Sequence, residues 1–496
     1  MTPGRVLAFL FAVFALLVGI GQLVPAGGLA VGDSFTLRMP RAGDVLFPPE
    51  REEVDIADIL NMPTDADSTI DLAAFVPDTL DTDSVEATPF VFDASKLAPL
   101  EERIQLHYPE AGRSVLDPLF SALESAGNSP HPIRLMHYGD SQLEGDRITS
   151  YVRNKLQTQF GGNGPGLVAV AGLVPHFSVD RVISDNWIRC SVMAKKEPNM
   201  LHSRYGALSA FSRFTPILPD SIAPDTALHT GTITLRPEKR CYGKAQAWSA
   251  CKLFYGWHRA PMTVTMTVDG TLISTEVVQP ADRLLVREWR FETPPKEIII
   301  TLTAADSPDV FGVSLEGRKG VALDNIAARG AAGYEFRKSD QDLLKAMYDE
   351  LDVKLLILQY GGNVLPYMKS TEEAQQYGRA IGAQIARFKR MIPGVCIIVI
   401  GPSDMSIKEG ELYVTRPYLE DVRDALKTNA LEQGAVFWDM YEAMGGRNSM
   451  VSWVEAEPAL AADDYTHFSP QGARKVGELF YSALIADFAK YHQARQ

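Results

Sequence analysis

The stretch Ile133-Arg-Leu-Met-His-Tyr-Gly-Asp-Ser141 decides how this chain is read. Its apolar run, 133–138, reads as a strand that breaks at Gly139 and closes on Asp140-Ser141. Beyond it, residues 146–160 read as a helix, with Ile148, Val152 and Leu156 at i, i+4 and i+8. A serine on a strand-to-helix turn holds its hydroxyl outward, near backbone N–H groups that can stabilise an oxyanion. Gly-Asp-Ser is also ordinary turn chemistry. The tripeptide therefore draws its weight from the rest of the chain.

Downstream of Asp324 the pattern is α/β. Helices are expected at 339–351, 371–391, 416–433 and 470–491. Apolar strands alternate with them at 353–360, 395–400 and 435–440. The first ends in Gly361-Gly-Asn363 and the second in Gly401-Pro-Ser-Asp404. Such alternation implies a parallel sheet covered on both faces. Between the two α/β stretches the character changes. Segments such as Met262-Thr-Val-Thr-Met-Thr-Val268 and Glu297-Ile-Ile-Ile-Thr-Leu-Thr303 alternate with period two and are separated by turns such as Asp269-Gly270. They predict an antiparallel sandwich or jelly roll inserted after the first βα unit. Its rings, Trp248, Tyr255, Trp257 and Trp289, either fill its core or form a glycan platform.

Composition limits the rest. The 496 residues suggest two or three domains, at ~100–200 residues each. A net charge of -14 argues against nucleic acid or an anionic membrane surface as the main partner. Residues 6–24 carry no charge and follow a single basic residue, Arg5. That run is near the ~20 residues a spanning helix needs, so an uncleaved signal-anchor is favoured over a cleaved signal peptide. Residues 31–98 are acidic and Pro-punctuated, and read as a tether, disordered or draped on the surface. Helix is expected over 100–128. Phe160-Gly-Gly-Asn-Gly-Pro-Gly-Leu167 lacks the Walker lysine and follows a helix, so nucleotide binding is rejected in favour of a turn near the active-site mouth. Of the four cysteines, Cys396 lies in a buried strand, and Cys241–Cys251 is the local candidate for a bridge. No Cys/His spacing looks like a zinc site, and neither a metal nor a cofactor is expected.

The second half of the chemistry is Asp463-Asp-Tyr-Thr-His467-Phe-Ser-Pro-Gln-Gly472. Ser469 can cap and Pro470 can start the last helix, which leaves His467 on the loop side of the sheet. Asp464, three residues earlier, is close enough to orient the imidazole.

With these motifs the chain resembles an SGNH, or GDSL-type, hydrolase. Its blocks appear in order as Gly139-Asp-Ser141, Asp324-Asn-Ile-Ala-Ala-Arg-Gly330, Gly361-Gly-Asn363 and Asp464-x-x-His467. The second block is looser, with Gly333 as a rival to Gly330. The Asp that usually follows the block-three Asn is Val364 here. An exported chain with a β-sandwich between blocks one and two is similar to the peptidoglycan O-acetylesterase and O-acetyltransferase branch. The resemblance implies a flavodoxin-like, three-layer parallel sheet with the sandwich inserted. The implied layout is 1–30 signal or anchor, 31–98 tether, 99–170 with 324–496 hydrolase, and 171–323 sandwich. It implies Ser141 as nucleophile, His467 as general base and Asp464 as its orienter. An oxyanion hole would come from the Ser141 N–H, the Gly330 N–H and the Asn363 amide. The expected activity is removal of O-acetyl groups from an extracytoplasmic polysaccharide such as peptidoglycan, by an enzyme held in the periplasm by its N-terminal helix. The alternatives are an O-acetyltransferase served by a membrane acyltransferase partner and an inactive glycan-binding protein.

Overall fold

Residues 133–139 form a seven-residue strand in which no position is exposed. This strand, β1 (Ile133–Gly139), has a parallel neighbour on each side: β2 (Val321–Ala327) and β3 (Val353–Gln359). β4 (Cys396–Ile400) and β5 (Val436–Trp438) continue the sheet in parallel, so the strand order is 2-1-3-4-5. A two-residue antiparallel strand, Leu106–His107, closes the β5 edge. This is the flavodoxin-like order, with its switch point between β1 and β3. The computed structural model describes residues 2–25, 29–30, 36–37, 54–61, 92–94, 97 and 99–495.

Period two decides which core each strand residue joins. Leu355 and Ile357 face one side of the sheet, Leu356 and Leu358 the other, and Ile398 and Val399 divide in the same way. One face is covered by α1 (Thr149–Phe160) and α5 (Pro470–Gln493), through Val152, Leu156, Val476 and Phe480. The other is covered by α2 (Gln341–Leu351), α3 (Thr371–Met391) and α4 (Leu419–Glu432), through Met347, Ile381, Ile385 and Leu426. Each such side chain contributes ~1.5–3 kcal/mol on burial, which explains why the strands read as unbroken apolar runs. α3 is capped by Ser370, whose hydroxyl accepts the Glu373 N–H. Its acids lie in the first turn and its bases in the last, as the helix dipole favours. Ser469 caps α5 and Pro470 starts it, as read from the sequence.

The sandwich is present as two antiparallel sheets. One has strands Ala281–Arg290, Ala250–His258, Asp309–Glu316, Ala210–Arg213 and Ile188–Ser191 in order, with Gly166–Val168 also paired to Asp309–Glu316. The other runs Thr271–Val278, Met262–Val268, Ile298–Ala304, His229–Pro237 and Val179–Ile183. Ile233, Leu253, Val264, Ile300 and Trp248 fill the space between them. The sandwich does not stand apart from the parallel sheet. Phe211, Phe254 and Phe311 share a core with Met347, Tyr348 and Leu344 of α2. Arg134 of β1 pairs with Asp324 of β2 at 2.8 Å and with Glu316 of the sandwich, all three fully buried.

Several local expectations give way. Residues 100–128 are not one helix: the α-helix is Asp117–Ser125, preceded by short 3-10 turns and the Leu106–His107 strand. Pro109 and the positive-φ Gly112 interrupt the pattern between them. The stretch opening at Val321 is the edge strand β2, three residues earlier than Asp324, where the sequence placed the return of the α/β pattern. The glycine loop is not at the active-site mouth. A Cβ on Gly162 would strike the backbone of Val321, at the opening of β2 and the opposite end of the sheet from Ser141. Its glycines permit close backbone packing there. All four cysteines are buried and unpaired, so the Cys241–Cys251 bridge is not formed.

The chain divides into two compact units, Met1–Glu53 and Val54–Gln496. In the first, Pro3–Leu23 is a 21-residue helix, long and apolar enough to cross a membrane. Most of the acidic 31–98 stretch lies outside the described residues. Within the second unit, residues 54–61 are built into the fold: Ile56 and Ile59 are buried in the α5-side core, and Ala57–Asn61 forms a short helix.

Candidate active site

The three loops that carry Ser141, Gly330 and Asn363 leave the C-terminal ends of β1, β2 and β3, on both sides of the switch point. A crevice forms there because neighbouring connections leave the sheet towards opposite faces. Ser141 opens a 3-10 turn, Ser141–Asp146, whose first N–H groups are capped by Asp140 through Gln142 N at 2.9 Å. Gly139 must lack a side chain, since a Cβ would lie 2.7 Å from Leu143 Cδ1 and 3.0 Å from the Gln359 carbonyl.

His467 arrives from the loop before α5. Its Nε2 is 2.9 Å from Ser141 Oγ, and its Nδ1 is 2.7 Å from Asp464 Oδ2. Asp464 Oδ1 also accepts the Thr466 and His467 N–H groups, both at 2.9 Å. Partial burial pushes the Asp464 carboxyl up. Those hydrogen bonds outweigh it and hold the group below the ordinary carboxylate range, ionised beside the imidazole.

All five residues expected from the sequence line one cavity of about 840 Å³: Ser141, Gly330, Asn363, Asp464 and His467. Gly330 and its rival Gly333 are separated by their surroundings. Gly330 (φ +77°) is on the cavity wall, whereas the Gly333 N–H donates to Glu335 at 2.8 Å. Asn363 Nδ2 donates to Asp140 Oδ2 at 3.0 Å and to the Ala331 carbonyl at 3.1 Å. Both amide hydrogens are thus engaged, and donation to a ligand requires that one be shared or released. Burial raises the Asp140 carboxyl to about 6, against the opposing pull of the Gln142 N–H and the His467 charge.

Sequence reading missed the residues that tie these loops together. Arg147 donates from Nη2 to the Ser141 carbonyl at 2.6 Å and from Nη1 to the Phe468 carbonyl at 3.1 Å. Gln142 Nε2 donates to the Thr466 carbonyl at 2.7 Å. The nucleophile turn and the histidine loop, more than 300 residues apart in sequence, are clasped by two side chains of the first. At the rim, Arg329 forms a bidentate pair with Glu144, both contacts 2.7 Å. Beneath the turn, Asn325 Nδ2 donates to the Leu143 carbonyl at 3.0 Å. Its Oδ1 accepts from Thr149 Oγ1, itself 3.1 Å from His137 Nδ1. Burial lowers His137 to about 3, so it stays neutral as a structural link.

Residues 302–475 match the GDSL-like Lipase/Acylhydrolase family model. The chain carries a GDSL-like acylhydrolase domain. The match on the GDSL-like domain takes in Gly330, Asn363, Asp464 and His467 and stops short of Ser141, which the sandwich separates from them in sequence. No curated protein matches the sequence. Among solved structures, a peptidoglycan O-acetylesterase aligns with 75% of this chain and 96% of its own, at 20% identity and a TM-score of 0.56. That likeness speaks to the fold, sandwich included. An acetylxylan esterase from Geobacillus stearothermophilus aligns at 17% identity over 34% of this chain and 73% of its own, with a TM-score of 0.25. A family two carbohydrate esterase from Clostridium thermocellum aligns at 8% identity over 57% and 97%, with a TM-score of 0.24. Neither score is high enough to argue a common arrangement.

The four rings considered for a glycan platform also separate. Trp248, Tyr255 and Trp289 are buried in the sandwich. A bulge between Gly256 and His258 sets Trp257 at φ +51° and turns it to a second cavity of about 610 Å³. Arg204 lies over its ring, 4.8 Å from the centroid.

Proposed function

We propose that this protein is a serine esterase that removes O-acetyl groups from an extracytoplasmic polysaccharide such as peptidoglycan. The observation that carries the reading is the Ser141–His467–Asp464 relay, at 2.9 and 2.7 Å, opening into a cavity large enough for a sugar. A serine hydroxyl is a poor nucleophile near neutral pH without a hydrogen-bonded base. His467 Nε2 takes the proton as Ser141 Oγ attacks the ester carbonyl. The Ser141 and Gly330 N–H groups, joined by an Asn363 amide hydrogen shared with the Ala331 carbonyl, stabilise the oxyanion. His467 then protonates the departing sugar alkoxide. Water, deprotonated by the same nitrogen, releases acetate from the acyl-serine. Ionised Asp464 holds the imidazole tautomer throughout.

The Pro3–Leu23 helix supports a membrane anchor that keeps the enzyme at the extracytoplasmic face. The test uses the full chain in detergent, incubated with a small acetyl ester and with acetylated and de-acetylated wall glycan while free acetate is followed. Ser141→Ala, His467→Ala and Asp464→Asn are each expected to lower ester turnover by orders of magnitude with unfolding transitions near wild type. Wild-type turnover by Ser141→Ala would sink the hydrolase reading, and acetate moving to a glycan acceptor would shift it to a transferase.

A further inference from the structure

Two arginines beside the Ser141 cavity, Arg181 and Arg189, share with Arg147 and Arg416 of the cavity wall the lack of an acidic partner among the described residues, whereas three other arginines are paired. Arg153 pairs with Asp146, Arg213 with Asp306 and Asp309, and Arg329 with Glu144. Among the described residues, Arg181 and Arg189 form no ion pair. The Arg181 Nη1 donates only to the Ala169 carbonyl at 2.7 Å, and the Arg189 Nε is buried with no acceptor. They come from different sheets: Arg181 from Val179–Ile183 and Arg189 from Ile188–Ser191, each the last strand of its sheet. The two edges meet at a slot of about 90 Å³ that both arginines line. Val174, Pro175, Glu144 and Gly145 line both this slot and the catalytic cavity, so one thin wall is shared. Gly172, in the same wall, makes room for the Arg181 guanidinium, which a Cβ there would strike.

We infer that this slot is a subsite for a carboxylate carried by the glycan whose ester enters the adjoining cavity. The inference rests on the esterase reading and names its substrate class: an acidic glycan. Two guanidinium groups without a counter-ion select an anion, and their planar forks match a carboxylate. The slot is too small for a sugar ring and fits one branch. Burial, with the neighbouring Arg189 charge, pulls Arg181 below its ordinary value, and burial does the same to Arg189, so an anion relieves both. The carboxylate can belong to the sugar itself or to a peptide attached to it.

The experiment uses the full chain in detergent, with Arg181→Gln, Arg189→Gln and the double variant. Binding is measured by calorimetry with three de-acetylated saccharides: chitobiose, which is neutral; a disaccharide bearing a free lactyl carboxylate; and the same disaccharide carrying its peptide. Kinetics are measured on p-nitrophenyl acetate and on acetylated glycan. The acidic disaccharides should bind wild type roughly tenfold or more tightly than chitobiose, as expected for charge-assisted hydrogen bonds. The double variant should erase that preference and raise KM for the acidic glycan with kcat unchanged. Turnover of p-nitrophenyl acetate should stay at the wild-type level, and Arg→Lys variants should retain part of the preference. The arm with the greater loss identifies the sugar or the peptide as the source. Equal wild-type affinity for the neutral and acidic saccharides, or a preference that survives the double variant, overturns the subsite. Because binding is read without catalysis, the subsite can fail while Ser141-dependent acetate release stands, and the reverse.

Discussion

At the scale of single residues, Asp140 is the least ordinary member of the site. It stands between Ser141 and the Asn363 amide, and burial raises its carboxyl to about 6. Its folded value is above the unfolded one, so between roughly pH 4 and 6 the native state holds a proton that the unfolded chain has released. This group's contribution therefore opposes stability as pH rises through that window. Asp140→Asn should accordingly gain stability relative to wild type between pH 4 and pH 7, by up to ~3 kcal/mol for a shift of about two units. Chemical denaturation at the two pH values checks this, and a difference that shrinks towards pH 7 would contradict it. The same variant should lose ester turnover, because a neutral amide cannot accept from both Gln142 N and Asn363 Nδ2 as the carboxylate does. The meeting of Ser141, His467 and Asp464 was expected from their motifs and the family resemblance those motifs carry. Asp140's second role was not, because its partner Asn363 lies 223 positions away.

At the scale of elements, the decisive contacts run between loops. Arg147 and Gln142 hold the nucleophile turn against the histidine loop. Arg147→Ala should lower kcat by roughly 10- to 100-fold with KM little changed, since misplacement of reacting groups by about 1 Å costs on that order. Arg147→Lys should recover only part, having one donor group where the fork has several. A change confined to KM would assign Arg147 to substrate binding instead. The sandwich raises a different point. Its period-two segments and turns suggested a piece, about 179–320, that could be cut out and fold alone. The structure argues otherwise, because Phe211, Phe254 and Phe311 are buried against α2, and Arg134 brings a buried charge to Glu316. The isolated piece would expose three phenyl rings, at a cost of several kcal/mol, and leave Glu316 with only Lys252 of its two cationic partners. Expressed alone, it is expected to aggregate or unfold well below the intact chain in a thermal melt. A soluble, cooperatively melting piece would show that the core between the sheets suffices.

At the scale of the whole molecule, the cavity that Ser141 lines has few large aliphatic side chains in its wall, chiefly Val174, Met405 and Met440. Tight glycine and proline turns such as Gly401-Pro402 and polar groups such as Arg147, Asn363 and Thr466 make up much of its lining. A long acyl chain gains ~0.8 kcal/mol per buried methylene only where an extended apolar trench receives it. The kcat/KM for p-nitrophenyl esters should fall steeply from acetyl through butyryl to octanoyl. A profile rising with chain length would move the reading from polysaccharide to lipid.

The amino-acid order by itself determined the layers and the candidate triad. Apolar runs alternating with helices dictate a sheet buried on both faces, and Gly-Asp-Ser, Gly-Gly-Asn and Asp-x-x-His carry their chemistry in local spacing. Only the end of β2 was legible, because its polar residues, Asp324 and Asn325, break the apolar run, and they are tolerated where Arg134 and the Ser141 turn satisfy them. Tertiary structure alone decided where the glycine loop lies, which tryptophan turns outward, and that residues 54–61 belong to the core. It alone joined Arg147 to Phe468 and brought Arg181 and Arg189 to one slot. Each of these depends on contact between segments far apart in sequence, and the local periodicities that betray helices and strands hold no record of such meetings.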